Sequence, residues 1–285
     1  MIMHFVGAIL VDLKKKTLYD IINPFERDKL HLKRKLTDIK SHGSSITLTM
    51  ASSSIKQDIY RSFIYGEGEK DTQWRHGAPP NFDVVNKLFE EGRTQEWPEG
   101  SLEEKVQRLV KSWEMEMFHK IRPQDLKTVN LDKFRFCLNG GKILTIQDIK
   151  EMGGAYNAFL QTTLPENLRI YDPTKETRES AHEIFNTVFP RGFAFEILHV
   201  YSGPPTIVYK FRHWAFMEGP FKGLAPTGDK VELFGISIFK IDKDMKIENV
   251  EFFYDGNAFL AGFLSGGQRD DYSTASIGCP FMSTK

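Results

Sequence analysis

Apolar and polar positions alternate with two periods along this chain, a helical one before about residue 190 and a two-residue one after it. Ser101 precedes a run in which Leu102, Val106, Leu109, Val110, Trp113 and Met117 recur every three or four residues, the spacing that lays one apolar stripe along a helix. Ser101 with Glu104 has the form of a capping box, where a hydroxyl takes an orphan backbone N–H of the first turn. Thr145 with Asp148 repeats that signal ahead of Ile149, Tyr156, Phe159 and Leu160. The Gly153-Gly154 pair inside that stretch predicts a weakened or bent helix, since glycine loses most backbone freedom on ordering. A third amphipathic helix is predicted over Ala181 to Phe189, packed through Ile184, Phe185, Val188 and Phe189. Between the first two, Lys133 to Leu144 alternates around Asn139-Gly140, a pair that accepts the positive φ of a type I′ turn and predicts a hairpin. Four β-rich runs follow: Phe193 to Tyr201, Thr206 to Phe216, Lys230 to Ile241 and Lys246 to Asp255. Helices first and an antiparallel meander last predict an α+β domain, with helices on one face of a curved antiparallel sheet.

Period two also assigns faces. Lys210 and Arg212 in solvent turn Tyr209, Phe211 and His213 toward the helices. Glu196 outward puts Phe195, Ile197, His199 and Tyr201 inside, and Glu232 with Lys240 outward leaves Leu233, Gly235, Ser237 and Phe239 inside. In the last run, patterning buries Val250, Phe252 and Tyr254 and exposes Asn249, Glu251 and Asp255. The interior so drawn is aromatic with a few polar groups, which suits an apolar ligand oriented by two or three hydrogen bonds. Tyr209, Phe211, His199, Phe239, Phe253 and Trp113 are the expected ligand-binding residues.

With 285 residues, 40% of them hydrophobic, and 23 phenylalanines, the chain can bury one sizeable core between tails. A formal net charge of zero gives no global field to recruit nucleic acid or an anionic membrane. Two cysteines, Cys137 and Cys279, argue against a disulfide framework and fit a reducing compartment, the cytoplasm or also the nucleus. Residues 1–49 hold nine Lys/Arg against five Asp/Glu. Their apolar start, MIMHFVGAILV, is too short to span a bilayer, and Lys14 to Lys16 follow it instead of preceding it, the reverse of a secretory signal. Met50, with Ala51 and Ser52 to Ser54 behind it, has the look of a second translation start. Residues 1–49 are therefore expected to be a non-core extension, with a basic membrane-surface or targeting arm as the alternative. The Gly/Ser/Thr-rich segment 265–285 is expected to be disordered.

Several chemistries fail on context. Glu116 and His119 stand three apart on a helix without further ligands at matching spacing, so no metal site is expected and the two are taken as a helix-surface pair. Gly66-Glu67-Gly68 lacks the strand and helix that a dinucleotide loop needs. No cofactor is expected.

The stretch RHWAFMEGPFKGLAPTGDKVELFGISIFKIDKDMKIENVEFFYD, Arg212 to Asp255, carries a loop of the form G-x-F-x-G-x-x-P-T-G in Gly219, Phe221, Gly223, Pro226, Thr227 and Gly228. A long strand, a turn, Lys246 with Ile247 and a strand ending in Asp255 come after it. This order resembles the polyketide-cyclase-like (SnoaL-like) group of the nuclear transport factor two-like superfamily. Upstream, YRSFIYGEGEKDTQWRHGAPPNFDVVNKLFEEGRTQEWP, Tyr60 to Pro98, and SLEEKVQRLVKSWEMEMFHK, Ser101 to Lys120, resemble the plant pathogen-related protein family. The likeness runs from about Met50 to Leu264.

The resemblance implies a family-specific strap over 50–100, holding Trp74, Arg75, Pro79 and Pro80, and a cone-shaped domain over 101–264 with helices on its concave face. It also implies a defence setting and a small apolar specialised metabolite as ligand. In the cyclases the terminal aspartate is the base, and Ile247 to Asp255 keeps its spacing. The chain departs from that pattern twice: Glu251 stands where an aromatic residue is common, and counting back for the histidine partner reaches Phe239 and Ile241. His213 or His199 would have to substitute. The resemblance thus leaves two readings: a binding protein with cofactor-free cyclase or isomerase chemistry on Asp255, His213 and Glu251, or a non-catalytic module docking on another protein such as a biosynthetic enzyme. It also implies a homodimer through the sheet.

Overall fold

The computed structural model describes residues 58–264. The expectations for residues 1–49 and 265–285, Cys279 included, lie outside the described residues.

Local signals set most of the helices. The strap contains α1 (Asp83–Gly92), whose Leu88 and Phe89 are buried. Val85, Leu88 and Phe89 have helical spacing and a buried surface to meet. Helix α2 (Leu102–His119) starts where the Ser101 hydroxyl accepts from the Glu104 N–H. The box stays half-formed, since the Glu104 carboxylate turns forward to Arg108 at 2.9 Å. Thr145 and Asp148 make a complete capping box for α3 (Ile146–Glu151). Gly153 and Gly154, at φ 83° and 96°, then break the expected helix outright, and α4 (Ala155–Phe159) is a separate turn. Helix α5 (Arg178–Val188) begins three residues ahead of the predicted start, because Thr177 and Ser180 cap it reciprocally.

Five strands form one sheet in the order β1-β5-β4-β3-β2: β1 (Arg135–Leu138), β2 (Ala194–Ser202), β3 (Thr206–Phe216), β4 (Lys230–Ile241) and β5 (Ile247–Tyr254). The last four are the antiparallel meander read from the sequence. Strand β1, however, pairs parallel with β5, so the sheet is mixed. Its expected hairpin shrinks to one bridge, Phe136 to Leu144. Asn139 explains this: at φ 51° its side chain donates to the Tyr254 carbonyl at 2.9 Å and accepts from the Tyr254 N–H at 3.0 Å, so the Asn-Gly turn is clipped to β5. The loop before β4 passes close to α5. A Cβ on Gly219 would lie 1.8 Å from the Thr187 carbonyl oxygen, which excludes any larger residue there.

Two apolar clusters cover the helix side of the sheet. One joins Val106, Val110 and Trp113 of α2 to Phe195, Ile197, Tyr209, Phe211, Phe239 and Phe252. The other joins Phe185 and Val188 of α5 to Ala215, Met217, Val231 and the short helix α6 (Gly256–Ala261). The opposite side of β2 and β3 is not bare, contrary to the expectation of helices on one face only. Leu88 and Phe89 of α1 pack there on Ala194 and Trp214. Glu196, expected in solvent, is consequently buried: it accepts from the Gln95 N–H at 2.7 Å and pairs with Arg212 at 3.2 Å. The free edge of β2 is closed by side chains, with Gln107 accepting the Ile197 N–H and Trp97 donating to the Ile197 carbonyl, a protection that exposed sheet edges require.

Glu116 is not at the helix surface either. It is fully buried, pairs with Lys120 at 2.9 Å and accepts from Thr128 through both N–H and hydroxyl. Its neighbour His119 packs edge-on against Phe82 and His76. The binary pattern assigns charges to solvent, and here an intact hydrogen-bond set replaces the solvent.

Candidate functional site

Strand β3 and helix α2 supply the groups that face one another inside the domain. Val110 and Trp113 hold α2 on the sheet, which brings Glu114 to the edge of the same stripe. Period two along β3 carries Tyr209, Phe211 and His213 to the same face. His213 Nε2 stands 3.4 Å from Glu114 Oε1, with side chains 16% and 21% exposed. Phe193 stacks on the His213 ring at 5.2 Å and Phe195 meets it at 4.7 Å. Both clusters reach this point, since Leu233, across the ladder from His213, packs against each.

Deeper in, Trp113 and Tyr209 both lie against the Phe239 ring, at 5.3 and 5.4 Å, and Phe252 stacks on Trp113. Trp113 Nε1, Tyr209 Oη and His213 Nδ1 are all buried without a hydrogen-bond partner among the described residues. Ser237 lies opposite Tyr209 but gives its proton to the Glu251 carbonyl at 2.8 Å. Burial pushes the Tyr209 phenol well up, only partly offset by that nearby hydroxyl. Each such orphan costs about 1–3 kcal/mol relative to a satisfied group. Tyr156 and Tyr254 are raised too, chiefly by burial; the Tyr254 hydroxyl donates to the Phe159 carbonyl, and Glu114 adds to the rise at Tyr156. The Tyr209 hydroxyl, held neutral and without a partner among the described residues, can donate to a ligand oxygen, and the Glu114–His213 pair can exchange a proton.

Of the expected site residues, Trp113, Tyr209, Phe211, Phe239 and His213 come together on this face. The others lie elsewhere. A register shift between Ile197 and His199 turns Val200 inward and leaves His199 and Tyr201 exposed. Phe253 is 39% exposed on the opposite side of β5. Glu251 also faces that side, accepting from Asn249 at 3.0 Å. Asp255 is exposed and caps α6, its Oδ1 accepting the Asn257 and Ala258 N–H groups at 3.0 Å each. Glu114 was not anticipated. Its signal was present, because it follows Val110 by four residues and so borders the α2 stripe. Among the described residues no group of three or more His, Cys, Asp or Glu is placed to hold a metal ion, and no helix is long and apolar enough to cross a membrane.

The fold and site define an α+β protein whose meander and helices enclose an aromatic interior with orphaned polar atoms. The chain belongs to the pathogen-related protein family. It is 58% identical over 235 residues to the pathogen-related protein of Hordeum vulgare, a span of 82% of this chain and 98% of the barley protein. No protein-family model matches the chain. Solved structures similar to it include AclR of Streptomyces galilaeus, assigned as a hydroxylase (12% identity, 49% of this chain and 80% of that one, TM-score 0.31). Two others are assigned as polyketide cyclases. One, SnoaL-like, is from Jannaschia sp. CCS1 (16% identity, 65% and 89%, TM-score 0.29). The second is from Acidithiobacillus ferrooxidans (11% identity, 60% and 100%, TM-score 0.33). Likenesses this faint carry nothing about chemistry.

Proposed function

We propose that this protein binds a small apolar metabolite on the face shared by α2, β3 and β4, in the defence setting that the barley relative's name suggests. The observation that supports the reading is the set of orphaned atoms at Trp113, Tyr209 and His213. Native interiors rarely retain unpaired polar groups, and those they keep call for an explanation. Two polar atoms of a ligand, one beside Trp113 and Tyr209 and another beside His213, about 13 Å away along β3, would satisfy them while its apolar body met Phe211, Phe239 and Leu233. The largely buried inward pair Glu114 and His213 is then the acid–base candidate for a cofactor-free cyclase or isomerase step, in preference to Asp255, whose carboxylate is occupied as a helix cap. A buried, free Cys137 fits a cytoplasmic, reducing setting.

Tyr209→Phe separates this reading from a purely structural one. Removing an unsatisfied buried hydroxyl is expected to raise the stability of the unliganded protein by about 1 kcal/mol. The same change should weaken binding of a terpenoid, flavonoid or polyketide found by thermal-shift screening by about tenfold, the equivalent of one neutral hydrogen bond. If Tyr209→Phe binds such hits as well as wild type, and Leu233→Trp does too, the interior is not the binding site.

A second reading, an interaction surface, is supported by the half of the opposite sheet face that no described residue packs over. Phe234 and Phe253 are 49% and 39% exposed there, with Ile236 and Ile238 half-buried beside them. A homodimer through β4 and β5 is the occupant proposed. Light scattering should show a dimer for wild type and a monomer for Phe234→Glu; identical masses for the two would remove this arrangement.

A further inference from the structure

A second set of groups lies where the strap meets the end of α2 and the start of α5. Arg75 is fixed by two backbone carbonyls, Nε donating to Phe118 at 2.9 Å and Nη2 to Lys120 at 3.1 Å. Arg178, in the first turn of α5, lies over Gly154 so closely that a Cβ there would stand 2.7 Å from its Nε. His182 follows Arg178 by four residues on α5, on the same helix face, and its ring lies 5.9 Å from that of Phe118, whose carbonyl holds Arg75. In keeping with this, the charge of Arg178 adds to burial in lowering the pKa of Arg75. Neither guanidinium makes an ion pair among the described residues; the nearby Glu179 is felt by Arg75 and His182 without pairing with either. Three histidines complete the group. The His76 ring is 6.1 Å from that of His182 and 6.3 Å from that of His119.

We propose that Arg75 and Arg178, with His76 and His182 beside them, form a binding site for an anionic oxo group, a carboxylate or a phosphate. Like charges held together with only the unpaired Glu179 near them are unfavourable in a partly desolvated place, and an oxo-anion both neutralises them and matches the planar fork of arginine. Arg75 is oriented in advance by its carbonyl contacts, so little side-chain freedom remains to be lost on binding. The Arg178 guanidinium makes no hydrogen bond among the described residues and can close on the anion. The histidines supply further donors. Burial holds His182 down at about 4 and His119 at about 3, assisted at His182 by Arg75, His76 and Arg178 against Glu179, and at His119 by His182, His76, Arg75 and Arg61. They are therefore neutral N–H donors at pH 7, and an anion that favours their protonated forms must, by linkage, bind more tightly as pH falls. Tyr156 touches both this site and the interior, its ring 5.1 Å from His182 and its hydroxyl in the field of Glu114.

The test follows the histidine ring resonances of the full chain by NMR at constant ionic strength, titrating inorganic phosphate, decanoate, decanol and chloride separately. Saturable shifts of His76 and His182 with phosphate or decanoate, an upward displacement of the His182 titration midpoint, and an about tenfold weaker response in Arg178→Gln, the worth of one charge-assisted contact, are the expected results. Phosphate alone or decanoate alone identifies which oxo-anion fits. Decanol reports on the apolar interior without a charge, so its binding with no anion response would overturn this site and leave the metabolite reading standing. An anion response without decanol binding would do the reverse. Shifts that chloride reproduces, or that Arg178→Gln leaves unchanged while its fold is intact, would also overturn the site.

Discussion

Lys120→Met is expected to lower the stability of the domain by about 3–5 kcal/mol, the range for breaking a buried ion pair from one side. Lys120 Nζ donates to Glu69 at 2.8 Å, to Glu116 at 2.9 Å and to the Asp125 carbonyl at 3.1 Å, with both the lysine and Glu116 side chains wholly out of solvent. Methionine fills the space but leaves two buried carboxylates facing each other without a cation. The connection matters beyond one helix, because Glu69 belongs to the strap, Glu116 to α2, and Thr128 to the segment that leads to β1. Glu116→Gln should cost less, since the amide oxygen still accepts on one side, from the Thr128 N–H and hydroxyl or from Lys127 and Lys120, while the amide NH2 is left facing donors on the other. Urea unfolding at pH 7 measures both. A loss under about 1 kcal/mol for Lys120→Met, the size of an exposed pair, would mean that water reaches the network.

What the sequence made legible follows from how local the cause is. Strands β3 and β4 keep the limits that their two-residue period predicts, and the caps at Ser101 and Thr145 start helices as their hydroxyls require. Period two fails at His199, because a register shift is a property of the pairing with β3 and leaves no mark in the pattern. Glu196 and Glu116 were assigned to solvent for the same reason: their partners stand 101 residues away at Gln95 and 12 away at Thr128. Asp255 shows how a family motif and a local role can compete. Its spacing after Ile247 resembles a catalytic base, while the backbone N–H groups of Asn257 and Ala258 give it the ordinary work of a helix cap. Glu114, in contrast, was readable from its place beside the α2 stripe, and only its partner His213 on β3 gives that position a chemistry.

Acidification from pH 7 to pH 4 is expected to destabilise the domain through its histidines. His119 and His182 are held neutral in the fold, with midpoints at about 3 and about 4 against an ordinary 6.5, burial being the largest cause for each. Below 6.5 the unfolded chain takes up protons that the folded one refuses, so stability falls as pH drops through that window and is fully present above it. His119 carries the larger share, on the order of 3 kcal/mol between pH 7 and pH 4. The contribution of the more exposed His182 is smaller because solvent screens it. Carboxylates that arginine or hydroxyl partners hold low, such as Asp125 and Asp172, also lose stabilisation on acidification, but mainly below their unfolded value of about 3.9, so most of the fall between pH 6.5 and pH 4 belongs to the histidines. Urea midpoints measured across pH 4 to 7.5 for wild type and His119→Gln provide the check. The variant should start less stable at pH 7 and lose less on acidification, so the two curves converge toward pH 4; parallel curves would mean that His119 titrates as it does in the unfolded chain. Phosphate at fixed ionic strength should flatten the wild-type fall, because an anion beside Arg75 and Arg178 offsets the charge that His182 gains.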